Sequence, residues 1–269
     1  MAITTLDGVI AGRKPPSYYA KVASPTLVIG RPHTPFYVGG YPGAAAAPAP
    51  GIAGAALTSY AGQLPFPAAV GGQSIYLDRF SGLSSGGPGT LLLCDRIWHN
   101  SGFVVTTTTA QTINSVAWPA RDKNGSTNGD GVYIGLEVVT ATGAGTSVLS
   151  MSYTNSAGTA GQTSAPIDTY VASSAIGAFY RMGLAAGDNG VRSIQTFTSS
   201  VSMTSGSVSL VAYRVLAALE LSVSNIPNAI DAVSGSLPIC YDNTTPFLIF
   251  IPQATSTTVL SGIATFAQG

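Results

Sequence analysis

Histidine occurs at only two positions in the 269 residues, His33 and His99, and any acid–base chemistry would start from these imidazoles. His33 lies between Pro32 and Pro35, a setting that suits packing better than catalysis. His99 is the stronger candidate because it follows Cys94, Asp95 and Trp98. If Leu91 to His99 is one strand, Cys94 and His99 point to opposite faces, which rules out a thiolate–imidazole pair within the segment. Asp95 and His99 would share a face but stand about 13 Å apart, given a rise of ~3.3 Å per residue. A partner from elsewhere, such as Cys240, would be needed to build a hydrolase; a strand end turning into Asn100-Ser101-Gly102 is the simpler reading. Two glutamates, Glu137 and Glu220, are present, and neither stands near a second carboxylate in sequence as a glycosidase pair would, although folding could bring one. The chain has no phosphate loop or His-Glu-x-x-His helix. No catalytic residue, metal ligand or cofactor is assigned, and the chain reads as non-enzymatic.

Oxygen ligands gather in the loop from Arg121 to Gly131, where Asp122, Asn124, Asn128 and Asp130 could face a hard cation. Their spacing is not that of an EF-hand, a closing glutamate is missing, and Arg121 and Lys123 oppose a cation. Asn-Gly and Asp-Gly steps form hairpin turns, so an exposed turn is the expected outcome. Cys94 and Cys240 could pair in an oxidised particle; as two distant thiols they read first as small buried hydrophobes.

The charge content restricts function further. Asp, Glu, Lys and Arg make up 8% of the chain, with 11 acidic and 11 basic residues, where soluble domains carry about 25%. A surface so poor in charge resists association weakly and suits a protein covered by partners. Zero net charge without a basic block disfavours nucleic acid. No secretion signal is visible at Met1–Ile10, and no apolar run approaches a membrane span.

The elements that must position these residues fall into two kinds. Between Lys14 and Val70, prolines and glycines recur among Tyr18, Tyr19, Phe36, Tyr37, Tyr41, Tyr60 and Phe66. Proline lacks the ladder donor and glycine weakens regular elements, so residues 1–74 are expected to form a long extended N-terminal arm. The aromatics require that this arm lie on its own domain or on a neighbour. A short helix is expected within Ala44 to Ala56. From about Ile75, residues 75–269 alternate with period two, as in Val132-Tyr133-Ile134-Gly135-Leu136-Glu137-Val138 and Leu149-Ser150-Met151-Ser152-Tyr153. Further strands are expected at Leu91–Trp98, Phe103–Thr109, Gln111–Trp118, Val191–Ser200, Ser207–Leu219, Phe247–Ile251 and Thr257–Phe266. Ser207–Leu219 could also be written as helix, though its Ser-Val-Ser-Leu-Val start favours strand. Phe247–Ile251, apolar on both faces, reads as a central strand. The fold class is all-β, an antiparallel β-sandwich of jelly-roll type.

Met1-Ala-Ile-Thr-Thr-Leu-Asp-Gly-Val-Ile-Ala-Gly12 and Leu91-Leu-Leu-Cys-Asp-Arg-Ile-Trp-His-Asn-Ser-Gly102 resemble virion structural proteins encoded in tailed-bacteriophage genomes. The resemblance extends through Ser115–Asp122, Ser152–Gly158 and Tyr241–Phe247 and carries no catalytic or ligand residues. It implies a virion component, assembled in the host cytoplasm, with other virion proteins such as the major capsid protein as partners. A capsid decoration or cement protein is the leading expectation, since an arm adds contact area on a shell; analogy with jelly-roll cement proteins suggests a homotrimer. A neck or tail component is the nearest alternative. A receptor- or glycan-binding module would need an exposed cluster such as Trp98, Trp118 and Tyr133. Arg13, Lys14, Tyr18 and Tyr19 are the candidate partner contacts of the arm.

Overall fold

Period-two runs become strands in the computed structural model, which describes residues 3–165, 169–235 and 238–269. A seven-residue helix α1 (Leu6–Gly12) comes first, followed by β1 (Ser17–Lys21), β2 (Gly40–Tyr41), β3 (Ala55–Ala56), β4 (Ile75–Ser84) and β5 (Gly89–His99). Next come β6 (Gln111–Thr112), β7 (Val132–Thr140), β8 (Ser147–Asn155), β9 (Gln162–Thr163), β10 (Thr169–Tyr170) and β11 (Phe179–Arg181). The chain ends with β12 (Val191–Ser199), β13 (Ser207–Leu221), β14 (Asn228–Asp231), β15 (Ile239–Cys240), β16 (Pro246–Pro252) and β17 (Leu260–Gln268). The fold is all-β and antiparallel, a β-sandwich.

The chain does not divide at the expected 74/75 boundary. One compact unit comprises Met1–Ala45, Thr58–Asp95 and Val215–Gly269; the other comprises Ala46–Leu57 and Arg96–Arg214. β5 is divided between Asp95 and Arg96, and β13 between Arg214 and Val215.

In the first unit, a sheet of order β14-β4-β17-β1-β2, with β15 beside β4, faces β16 and the unit's portions of β5 and β13. Tyr19, Leu77, Phe80, Ala264 and Phe266 from the first layer pack with Leu91, Leu93, Leu216, Leu219, Leu248 and Phe250 from the second. Each leucine or phenylalanine among them contributes about 1.5–3 kcal/mol on full burial. The expected N-terminal arm is therefore not a free extension. β1 lies between β17 and β2, with Tyr19 opposite Gly262. A Cβ at Gly262 would stand 2.4 Å from the Tyr19 hydroxyl, and one at Gly82 2.5 Å from it, so both glycines make room for that ring.

Beyond β1 the chain becomes a strap. The backbone N–H groups of Ser24, Leu27, Gly30 and His33 donate to the carbonyls of Thr258, Ser256, Pro252 and Phe250. β16, expected to be central, ends its sheet order, and the strap occupies its outer edge. Covering an edge in this way satisfies backbone groups that would otherwise invite other chains. The sequence reading also did not anticipate α1, which is capped by the Thr5 hydroxyl accepting the Gly8 N–H at 3.1 Å and leaves Leu6 and Ile10 exposed.

In the second unit, a sheet of order β10-β8-β12-β6, with β9 beside β8, faces β11, β7 and the unit's portions of β13 and β5. Ile134, Leu136, Val138, Leu210 and Ala212 pack against Leu149, Met151, Tyr153, Ile194 and Phe197. The helix expected in Ala44–Ala56 does not form: Pro48 and Pro50 interrupt it, and the stretch ends as β3 paired with β5. Phe103–Thr109 is not a strand, and only Gln111–Thr112 of the next expected strand is one. Phe103 and Val105 are buried nonetheless, so the β-branched content reflected a packed loop. Ser207–Leu219 is strand, extended to Leu221.

Candidate functional site

Each residue with reactive chemistry in the sequence sits in a structural setting. His99, at the end of β5, is wholly buried, and neither ring nitrogen has a hydrogen-bond partner of normal geometry. Burial, and then the Arg96 guanidinium, hold its pKa well below the ordinary histidine value, while the Pro48 backbone acts in the opposite sense. A neutral imidazole could in principle be a base, but it must be reached. Around it, the Trp98 indole donates to the Ala53 carbonyl at 3.1 Å, and the Asn100 side chain bonds both the Ile52 carbonyl and the Leu210 N–H. Residues 52 and 53 are thereby fastened over the end of β5.

Beside His99 in sequence, Arg96 donates to Glu137 in an ion pair with both side chains fully buried. The buried Arg121 in turn donates to the Arg96 carbonyl at 3.1 Å. Glu137 is thus committed to a cation and does not serve as half of a carboxylate pair. Glu220, in the first unit, is exposed and accepts from the Thr90 hydroxyl.

Cys94 and Cys240 are buried, and no disulfide joins them. Burial, with Asp95 adding to it, pushes the Cys94 thiol well above its ordinary value, which disfavours the thiolate a nucleophile needs. His33 lies in the strap, buried, exchanging backbone bonds with Phe250.

The Arg121–Gly131 loop is organised around Asp122 rather than around an ion. One carboxylate oxygen accepts the N–H groups of Asn124 and Ser126, and the other accepts the Ser126 hydroxyl and the Asp130 N–H. Burial works to raise the Asp122 pKa, yet the Ser126, Asn124 and Asp130 bonds outweigh it and hold the carboxyl below its usual range. Asp130 meets the Lys123 ammonium at 3.1 Å. Among the described residues, no group of three His, Cys, Asp or Glu side chains could hold a metal.

Of the four expected partner contacts, the structure separates one from the rest. Tyr19 is fully buried, its hydroxyl donating to the Ser81 carbonyl at 2.8 Å, and cannot meet a partner. Its alternation with Tyr18 along β1 was the available signal, because adjacent strand residues face opposite ways. Arg13 is half exposed but paired with Asp78 at 2.7 Å, and the Lys14 N–H donates to Phe266. Tyr18 is exposed and stacks on Tyr41 with ring centroids 6.1 Å apart. Tyr18 pairs with Ile263, so Tyr18 and a second exposed apolar residue lie side by side on the outward face of this sheet. In the second unit, Trp98 and Trp118 are buried against each other, leaving only Tyr133 of the expected glycan-binding cluster exposed.

The first unit also carries an edge that the sequence reading missed. β7 accompanies β13 only to Arg214, and among the described residues no strand pairs with Val215–Leu221 on that side. A cleft of about 300 Å³ runs past Val215–Ala218 and is lined across from them by Arg79, Phe80, Ile230 and Asp231.

No family model matches the chain, and no curated protein matches it. A solved structure similar to it is that of the infectious bursal disease virus VP2 subviral particle, at 10% identity over 95% of this chain and 81% of that one. The TM-score is 0.15, which carries no argument about fold or function.

Proposed function

We propose that this chain is a non-enzymatic structural subunit of a tailed-phage virion, acting as a decoration protein that stabilises the shell through subunit contacts. The observation that carries the reading is the surface. Of the few charged residues, Lys21, Asp78, Asp95, Arg96, Arg121, Asp122, Glu137 and Arg214 are buried, so the surface is no richer in charge than the 8% composition. Meanwhile Leu6, Ile10, Ile29, Val70, Ile226 and Val233 are each more than half exposed. A molecule dispersed in solution is usually protected by mixed charge, and large exposed apolar groups mark places that a partner covers. The burial of both histidines and both cysteines supports the non-enzymatic part. Sequence resemblance to phage virion proteins supports the location.

The test is quantitative mass spectrometry of purified particles together with a cryo-EM map in which the chain is traced. Many copies on the head shell are expected. A handful of copies at the neck or tail would replace decoration with a connector role, and absence from particles would overturn the reading.

A further inference from the structure

We propose that Asn128 is a site of spontaneous covalent modification, at which the Gly129 nitrogen closes on the Asn128 side chain and converts the residue to isoaspartate.

An asparagine followed by glycine offers this reaction the least steric resistance, because glycine has no Cβ to hinder the approach of its nitrogen. The chain has three such steps, Asn124-Gly125, Asn128-Gly129 and Asn189-Gly190, and all three asparagines are exposed. Water is the only co-reactant. The Gly129 nitrogen gives its proton to solvent base and bonds to the carboxamide carbon of Asn128. The bond from that carbon to the side-chain nitrogen breaks, and ammonia leaves with a proton from solvent. A five-membered imide remains. Water then opens it: cleavage at the former side-chain carbonyl gives aspartate, and cleavage at the main-chain carbonyl gives isoaspartate, whose backbone runs through the side-chain carbons.

Hydrogen bonding separates the three steps. Asn124 is held at both reacting groups, since its carboxamide donates to the Asp130 carboxylate at 2.7 Å and the Gly125 N–H donates to the Asp122 carbonyl at 3.1 Å. The Asn189–Gly190 peptide is held by its carbonyl, which accepts the Gly131 N–H at 3.0 Å. At Asn128 the carboxamide, the main-chain carbonyl and the Gly129 N–H have no hydrogen-bond partner among the described residues. The Asn128 N–H donates to the Ser126 hydroxyl at 3.2 Å, and that group takes no part in the reaction. Gly129 is anchored by its own carbonyl, which accepts the Val132 N–H at 3.1 Å, so the approach is made by the exposed Asn128 side chain. Ring closure at Asn128 therefore sacrifices no hydrogen bond of the reacting groups. Freeing Asn124 from a charged acceptor first slows its closure on the order of tenfold or more.

The product acts on the loop that Asp122 organises. Ser126 and Asp130 flank the step and supply that carboxylate with two backbone N–H groups and a hydroxyl. Isoaspartate lengthens the main chain between them and adds a carboxylate to a loop that already holds Asp122 and Asp130. The loop loosens as the chain ages.

Peptide mapping by tandem mass spectrometry, with fragmentation that distinguishes isoaspartate from aspartate, tests this on the full chain kept folded in mildly alkaline buffer at physiological temperature. Asn128 should convert on the order of tenfold or more faster than Asn124, with isoaspartate the larger product. In guanidinium chloride the three steps should react at comparable rates, because glycine follows each asparagine. The melting temperature should fall as conversion proceeds, and in Asn128→Gln it should hold over the same period. Equal rates at Asn124 and Asn128 in the folded chain, or an Asn128 that stays intact while the unfolded chain converts, overturns the inference. Conversion with an unchanged melting temperature overturns the loosening of the Asp122 loop. The reaction needs no partner, so none of these results bears on the virion reading.

Discussion

Arg96 and Glu137 form an ion pair between β5 and β7 with neither side chain exposed to solvent. Desolvating two charges costs several kcal/mol, and only close geometry with further hydrogen bonds offsets it. The pair is therefore a strong constraint and a weak source of net stability. Removing one partner leaves a buried charge: Glu137→Leu or Arg96→Met alone should cost about 3–5 kcal/mol. The double variant should recover a large part of that loss. Urea denaturation of the four proteins in a double-mutant cycle measures the coupling, and additive losses would contradict it.

The same guanidinium contributes to the state of His99. Burial and Arg96 lower the imidazole's folded pKa well below 6.5. An unfolded chain therefore takes up the proton at a pH where the folded chain does not, and stability present above about 6.5 is lost as pH falls below it. The urea midpoint should drop between pH 7 and pH 5 in the wild type. His99→Phe should flatten that limb. A limb unchanged by His99→Phe would mean that the ring is protonated or hydrated in the folded protein.

Much of the architecture was legible because period two is a local property. Val132–Thr140, Ser147–Asn155 and Ser207–Leu221 form strands where alternation or β-branched runs said they should. Sheet neighbours are not local, and there the reading failed. Nothing in Ser17–Lys21 announces that it lies between β17 and β2; the prolines that follow suggested an arm, when they mark a strap on the same unit. Phe247–Ile251 looked central because it is apolar on both faces, yet its second neighbour is that strap. At the candidate surface, Tyr18 and Tyr19 were named together as partner contacts, yet Tyr18 is exposed and Tyr19 buried, as strand alternation, which puts them on opposite faces, requires. The edge of β13 left no trace in composition, since it depends on where β7 stops.

Asp122 makes the cation question measurable. Its carboxylate already accepts three backbone N–H groups and one hydroxyl. Calcium or a chelator should leave the melting temperature unchanged, and Asp122→Ala should lower stability by about 1–3 kcal/mol by orphaning those donors. The folded carboxyl titrates below its usual 3.8, so its contribution is present above that pH and is lost as pH falls through the depressed value. A calcium-dependent rise in melting temperature, absent in Asp122→Ala, would restore the metal reading.

Lys21 sets the opposite, alkaline limb. Its side chain is buried on β1, and the ammonium donates to the carbonyls of Val38 and Pro42 at 3.3 and 2.5 Å. Burial lowers its pKa from 10.5 to about 8, so the folded chain releases this proton before the unfolded chain does. Between those values the unfolded state binds more protons, and stability rises with pH. Burial raises the Tyr19 phenol, which acts in the other direction once unfolded tyrosines ionise above about 10. The urea midpoint should therefore climb from pH 8 and turn over near pH 10. Lys21→Met should remove the climb and keep the turnover. If the variant retains the rise, the ammonium is solvated in the folded protein, and the two carbonyl bonds do not hold it between β1 and the Val38–Pro42 segment.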